Sequence, residues 1–334
     1  MNRHFPQWWL RRGLRARLLT PLALIHGGLA SVRQALYAVG ILRTYRVQVP
    51  VIVVGGVFVG GTGKTPTLEA LVLELRARGL NPGIISRGYG ADGETCPVFP
   101  TSSAAQFGDE PVLLARRTGA PVWIGRRRAQ AARALVQAHP EVDVILSDDG
   151  LQHLALHRDA ELAVVDSRGF GNGLLIPAGP LRESPGRLNR VTAVVLRGRP
   201  PLLGVTRPQF ALTLGIQAFR HLSTGESLDP STFRARFPSI TAAAGIGFPT
   251  QFRASLAELG LQASGLPQEL PDHFDWGHMD WAVGMTGPIV ITEKDAVKAE
   301  RIDDPRLWVA TAVPRLESGL TELLLERMRG SQAA

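Results

Sequence analysis

The segment from Val51 to Pro66 constrains this chain more than any other. Four apolar residues, Val51 to Val54, run through Gly55 and Gly56 into a glycine-rich loop that closes on Gly63-Lys64-Thr65. The apolar run reads as a central parallel strand, the glycines end it, and Pro66 to Arg78 has the apolar spacing of a helix. Strand, loop and helix in that order make a P-loop, which predicts a doubly wound, mostly parallel α/β sheet of the P-loop NTPase type. With no Cβ at Gly60, Gly61 and Gly63, the backbone can turn its N–H groups inward around phosphate oxygens at the positive end of the helix dipole. The expected cradle for a nucleotide triphosphate spans Phe58, Val59, Gly60, Gly61, Thr62, Gly63, Lys64 and Thr65. In it Lys64 reaches the β and γ phosphates and the Thr65 hydroxyl ligates Mg2+.

The strict pattern has a glycine where this chain has Phe58. The tight part of the cradle lies beside the lysine, so the physical signature stands. Lysine is also scarce, with Lys64, Lys294 and Lys298 the only three among 37 basic residues, which makes its place behind Gly63 informative.

A chain of 334 residues can bury a full α/β core and a second, smaller unit. The single cysteine, Cys96, excludes an internal disulfide and fits a reducing cytosol. Net charge is +8, and its excess lies at the N-terminus: Arg3, Arg11, Arg12, Arg15, Arg17, Arg33, Arg43, Arg46 and Lys64 all precede the first acidic residue, Glu69. That arm also holds Trp8, Trp9 and two apolar stretches, Leu18 to Ala30 and Ala35 to Leu42, both short of the roughly 18 to 20 uninterrupted apolar residues of a spanning helix. Pro21 and the Gly27-Gly28 pair are expected to break it into two short elements lying along a membrane. The arm reads as a peripheral anchor, with apolar faces among the headgroups and arginines on anionic lipid. The same pattern fits a helical pair packed on the domain. A nucleic-acid arm is the third reading of the charge, but no nucleic-acid motif accompanies it. No signal-peptide cleavage pattern follows, and a P-loop enzyme needs cytosolic ATP, so a cytoplasmic location is expected.

Beyond the first helix, strands are expected at Ile84 to Ser86, Pro121 to Ile124, Val142 to Leu146, Leu162 to Val165, Ala193 to Leu196 and Phe210 to Leu214. Helices are expected at Glu110 to Arg117 and Arg126 to Ala138, with a loop over 91–107. From about Ser223 the texture changes to a smaller α/β region that ends in a helix from Leu316 to Met328. Three domains are expected: an arm over 1–46, a nucleotide-binding core over 47–222, and a C-terminal α/β domain over 223–334 that closes an active-site cleft.

The strand ending in Asp148-Asp149 supplies the acidic end that meets a P-loop magnesium, with one aspartate as ligand and the other on the metal's waters or capping the turn. Asp109, just before a helix, reads from composition alone as a cap. His273 reads as a structural histidine, and Arg182 with Glu183 as either a phosphate and metal pair or a solvated surface.

Together these segments resemble the tetraacyldisaccharide 4'-kinases of lipid A biosynthesis. The resemblance runs along nearly the whole chain and rests on VGGVFVGGTGKTP (54–66), SRGYG (86–90), GDEP (108–111), SDDGLQH (147–153), PAGPLRE (177–183), GIGFPTQFRASLAELGL (245–261), LPDHFDW (270–276) and ITEKDAVK (291–298). It implies an ATP- and Mg2+-dependent kinase acting on an acylated disaccharide phosphate, peripheral on the cytoplasmic face of the bacterial inner membrane. It further implies Asp109 as general base with His273 as its partner, Asp148 and Asp149 on the metal, Arg182 and Glu183 at the transfer site with Glu183 toward metal, and Tyr89 on nucleotide or substrate. The family usually has Asn at the position of Gly56 and a small or polar residue at that of Phe58. Competing readings are a P-loop kinase of another small metabolite, a GTPase switch or metal-insertion protein, and a membrane adaptor that merely binds ATP. The nearest guanine-reading pattern, Thr292-Glu293-Lys294-Asp295, has its lysine beside the aspartate instead of two before it, which favours ATP.

Overall fold

The computed structural model describes residues 6–88, 94–198, 201–246, 249–265, 270, 274, 276, 282, 284–299 and 302–332. The chain forms two compact units, one of Pro6–Thr213 with Arg315–Ala334, the other of Leu214–Pro314.

The first unit begins with a short 3-10 turn (Gln7–Leu10) and α1 (Leu14–Ala38). It continues through β1 (Val51–Gly55), α2 (Lys64–Ala77), β2 (Pro82–Ser86), β3 (Cys96–Val98), α3 (Ala104–Phe107), α4 (Asp109–Thr118), β4 (Val122–Ile124), α5 (Arg128–Ala138), β5 (Val144–Asp148), β6 (Ala160–Asp166) and β7 (Ala193–Arg197) to β8 (Gln209–His221). Its strands lie in the order β8-β7-β6-β1-β5-β2-β4-β3, parallel except for β3 against β4. All five residues of both β1 and β5 are buried, as expected of central parallel strands covered on both faces. Val54 pairs with Asp148 on one side and Leu162 on the other, so the carboxyl ends of β1 and β5 stand level beside the glycine-rich loop while β6 runs on past them to Asp166.

The arm differs from its expectation. Pro21 and Gly27-Gly28 do not divide it, and α1 runs unbroken from Leu14 to Ala38. Gly27 serves packing, since a Cβ there would stand 2.6 Å from Leu175 Cδ1. One side of α1 faces the domain through buried Ala16 and Ala23. Trp9 Nε1 and Arg12 Nε, just before it, donate to the carbonyls of Pro177 and Asn172 at 3.1 and 2.9 Å. Leu14, Leu18, Leu22, Ile25, Leu29 and Val32, spaced three and four apart on the other side, are 54% to 74% exposed. Among the described residues no helix is long and apolar enough to cross a membrane.

The second unit takes in the latter part of β8, followed by β9 (Ser227–Leu228), α6 (Pro230–Arg236), β10 (Ser239–Ala242), α7 (Pro249–Glu258), β11 (Gln262–Gly265), β12 (Ile289–Thr292), α8 (Glu293–Ala299) and β13 (Leu307–Leu316). Strands β10 to β13 pair in parallel, and their period of two separates two cores. Val290 and Trp308 face Phe219 and Phe233, whereas Ile289, Ile291, Leu307 and Val309 face Trp276.

The units are not divided as the sequence predicts. The boundary falls at Leu214, inside β8, and the chain returns to the first unit at Arg315. The closing helix α9 (Leu320–Gln332) belongs there because its first turn is tied to α2, Thr321 Oγ1 donating to Glu74 and Arg78 pairing with Glu322.

Candidate active site

Helix α2 opens at Lys64 behind Gly63, which has φ 100 and so takes a left-handed backbone that a side chain would strain. A Cβ at Gly63 would also stand 2.7 Å from Arg197 Cδ, so the position is glycine on both counts. Lys64 is buried and turns back over the loop, its Nζ 3.3 Å from the Gly60 carbonyl and 3.6 Å from Asp149 Oδ1. The loop's entrance is pinned by the 177–183 segment. Val59 N–H donates to the Pro180 carbonyl at 2.9 Å and Arg182 N–H to the Val57 carbonyl at 2.7 Å.

At the end of β5, Asp148 is buried and accepts from Ser86 Oγ at 2.9 Å. Burial pushes its carboxyl up to about 7, with Glu110 and Asp149 adding to the effect. Asp149 begins the following turn at φ 47, a left-handed conformation that few residues other than glycine adopt. Burial pushes the Asp149 carboxyl up, but Lys64 and Arg182 outweigh it and hold the group below the usual carboxylate range. Arg182 Nη1 lies 2.8 Å from Asp149 Oδ2, which completes a chain of charge from Lys64 through Asp149 to Arg182.

Glu183 stands behind this chain, and both its oxygens are engaged. Gln152 Nε2 donates to Oε1 at 2.7 Å, Gln34 Nε2 of α1 donates to Oε2 at 2.8 Å, and Arg187 Nε approaches Oε2 at 3.3 Å. Gln152 also donates to the Gly56 carbonyl at 3.3 Å and accepts from Arg182 at 3.4 Å. Asp109 is the first residue of α4 and is not its cap, a place held by Gly108 at φ 93. Glu110 beside it is close enough to act on the charge of Asp148. Tyr89 and His273 lie outside the described residues.

The donor set suits a divalent cation. Asp148 Oδ1 and Asp149 Oδ1 are buried without a hydrogen-bond partner, and carboxylate oxygens are the ligands that magnesium takes. Among the described residues no group of three His, Cys, Asp or Glu gathers to hold a metal alone. A P-loop magnesium has no such cage, being held by one hydroxyl, an acidic strand end, water and the nucleotide's own oxygens.

The sequence reading misses several participants. Ser86 and Gln152 lie within the quoted motifs, but their partners come from other strands and loops. Buried Arg128, which donates to the carbonyls of Gly125 and Asp148 at 2.9 and 3.0 Å, carries no local signal beyond its place at a helix start. Gln34 is hidden in an apolar helix.

Residues 15–329 match the family described as tetraacyldisaccharide-1-P 4'-kinase. The tetraacyldisaccharide 4'-kinase of Herminiimonas arsenicoxydans is 44% identical over 351 residues, covering 100% of this chain and 98% of its own. That of Azoarcus sp. (strain BH72) is 46% identical over 332 residues, 97% of this chain and 95% of its own. The crystal structure of "apo" form LpxK from Aquifex aeolicus in complex with ATP superposes with a TM-score of 0.78 at 25% identity, covering 94% of this chain and 99% of that one. The chain belongs to the tetraacyldisaccharide 4'-kinase family.

Proposed function

We propose that the protein transfers the γ-phosphoryl group of ATP to the 4'-hydroxyl of a tetraacyl-disaccharide 1-phosphate, giving a 1,4'-bisphosphorylated lipid A precursor. The observation that carries the reading is the Lys64, Asp149 and Arg182 chain laid along a glycine-rich cradle at the carboxyl ends of β1 and β5. Full-length relatives bear the 4'-kinase name, and the structural neighbour was solved with ATP.

Phosphoryl transfer passes through a loose transition state, so the protein's task is alignment and neutralisation of charge. The N–H groups of the 60–63 loop hold phosphate oxygens, and Lys64 moves from the Gly60 carbonyl onto the β and γ oxygens. Asp149, kept ionised between two cations, fixes Lys64 and Arg182 at the mouth of the cradle. Thr65, Asp148 and Asp149 would hold Mg2+, which would supply further neutralisation on the phosphates. Asp109 takes the proton of the acceptor hydroxyl, its ionised form favoured at the start of α4, and His273 assists it. Glu183, with both oxygens engaged, braces Gln152 and α1 and leaves the metal to the aspartates.

A lipid acceptor fits the exposed stripe of α1. Its exposed leucines are suited to the headgroup region and Arg15, Arg17 and Arg33, all exposed, to anionic phosphates, which supports a peripheral position on the cytoplasmic face of the inner membrane. The guanine-reading alternative loses its residue, because Asp295 is wholly buried and accepts from Gly245 N–H, Trp276 Nε1 and Thr292 Oγ1 at 3.1, 3.0 and 2.7 Å. The test is incubation of the purified protein with γ-labelled ATP and the disaccharide 1-phosphate lipid. Label in a bisphosphorylated product is expected; an unlabelled lipid alongside intact ATP binding would overturn the reading.

A further inference from the structure

Phe58, the departure from the P-loop pattern, is buried at 2% exposure, and its ring carries the guanidinium of Arg168 at 4.3 Å from the centroid. Arg168 follows β6 by two residues, on the strand next to β1, and Asp166, the last residue of β6, is 1% exposed. The two form a forked pair: Arg168 Nη2 lies 2.7 Å from Asp166 Oδ2 and Nε lies 3.2 Å from both oxygens. The Arg168 N–H donates to Asp166 Oδ1 at 2.9 Å, so backbone and side chain are fixed by one carboxylate. From this position Nη2 also donates to the Gly61 carbonyl at 2.9 Å, inside the phosphate loop.

We propose that Arg168 is a positioning residue of the phosphate cradle, holding the Gly61–Thr62 peptide so that its N–H faces the phosphates. In a trans peptide the C=O and N–H point in opposite directions. An arginine on the segment after β6 that grips the Gly61 carbonyl therefore fixes the Thr62 N–H to the opposite side, the side the proposal assigns to the phosphates. Glycines give the loop its freedom, and that freedom costs ordering entropy when a nucleotide binds. Arg168 removes part of that cost in advance, and the removal depends on three supports that act together: the fork to Asp166, the Phe58 platform, and the grip on Gly61. A lysine has one ammonium and no planar fork, so it cannot stack on Phe58 and hold two acceptors at once. The aromatic at position 58 is thereby explained as the floor under Arg168. Nε and Nη2 are engaged by Asp166 and Gly61, which fits a role in shaping the loop.

The inference rests on the kinase reading, and the experiment separates the two. Binding of Mg-ATP is measured by calorimetry without acceptor for the wild type, Arg168→Ala, Arg168→Lys, Asp166→Asn and Phe58→Leu, with Lys64→Ala as the control for the cradle. Turnover is then measured with ATP and acceptor varied separately. Loss of a charged hydrogen bond at a partly buried carbonyl corresponds to roughly 10- to 100-fold in affinity. Both Arg168 variants should lose ATP affinity by that order and raise the KM for ATP, with the acceptor KM unchanged. Adding Asp166→Asn to Arg168→Ala should cost less than the sum of the two single losses, since part of what Asp166 does passes through Arg168. Phe58→Leu keeps the core filled and should weaken ATP several-fold, which tests the proposal even where an Arg168 variant fails to fold. Wild-type affinity in folded Arg168 or Phe58 variants would overturn the inference, as would equal rises in both KM values. A wild type that binds no ATP would instead overturn the kinase reading.

Discussion

In the proposed mechanism Asp109 and Lys64 divide the chemistry between them, and the division can be measured. Asp109 starts a helix whose dipole favours its charge, whereas Lys64 lies over the cradle. Asp109→Asn removes the proton acceptor and leaves the cradle intact, so kcat is expected to fall by about 10² to 10⁴ with little change in Mg-ATP affinity. Lys64→Ala should remove most turnover by leaving γ-phosphate charge uncompensated. Equal losses of ATP affinity in both would contradict the division. His153 offers a test of the site's electrostatics without substrate. Burial, then Arg128 and Arg87, push its imidazole down to about 4 from an ordinary 6.5. Between those values the unfolded chain binds the proton and the folded chain does not, so stability is full above pH 6.5 and is lost as pH falls toward 4. The wild-type Tm should therefore drop more steeply than that of His153→Gln between pH 6.5 and 4.5, and parallel curves would refute the assignment. Much of the site was legible residue by residue, because Lys64 stands behind the glycine-rich loop and Asp148 and Asp149 at the end of an apolar strand, whereas Arg182 was assigned only by the family resemblance. Gln34 was not, since its partner Glu183 is 149 positions away and only the fold brings them together.

At the scale of elements, long apolar strands were the most readable feature, because burial on both faces leaves little choice of residue. The short pieces were not. The expected loop over 91–107 contains β3 and α3, and α8 carries no helix signal in the sequence, each being too brief for a period to emerge. Strand β8 runs past its expected end at Leu214, through Gly215 to His221, where Gly215, Gln217, Arg220 and His221 interrupt its apolar residues. Helix α1 shows tertiary contacts overriding a local breaker, since Gly27 lets it lie against Leu175. Its bond from Gln34 to Glu183 joins the helix to the Gln152 and Arg182 network beside Asp149. Gln34→Ala should lower kcat several-fold while leaving Mg-ATP affinity and vesicle binding near wild type, because it cuts the tether without touching the exposed stripe or the cradle. An unchanged kcat in the folded variant would show that α1 adds nothing to the site.

For the whole molecule, the basic excess and the apolar stripe share one arm, while the nucleotide site is built on the sheet behind it. Binding to anionic vesicles is expected to be strong at low salt and weaker at high salt, with a remnant from buried apolar area. Leu18→Asp with Ile25→Asp should abolish the remnant and raise the apparent KM for vesicle-embedded lipid, since burial of each such side chain contributes about 1.5 to 3 kcal/mol. Salt-independent binding, or an unchanged KM in the double variant, would contradict the anchor. The central claim is that a built phosphate cradle serves transfer to a sugar hydroxyl, not a nucleotide-hydrolysing switch. Its most direct test is a single turnover with γ-labelled ATP, comparing the disaccharide 1-phosphate lipid with an otherwise identical lipid lacking the 4'-hydroxyl. Rapid ADP release and labelled lipid are expected with the hydroxyl, and only slow ADP release without it; equal ADP release with both lipids, and no label in either, would contradict the account.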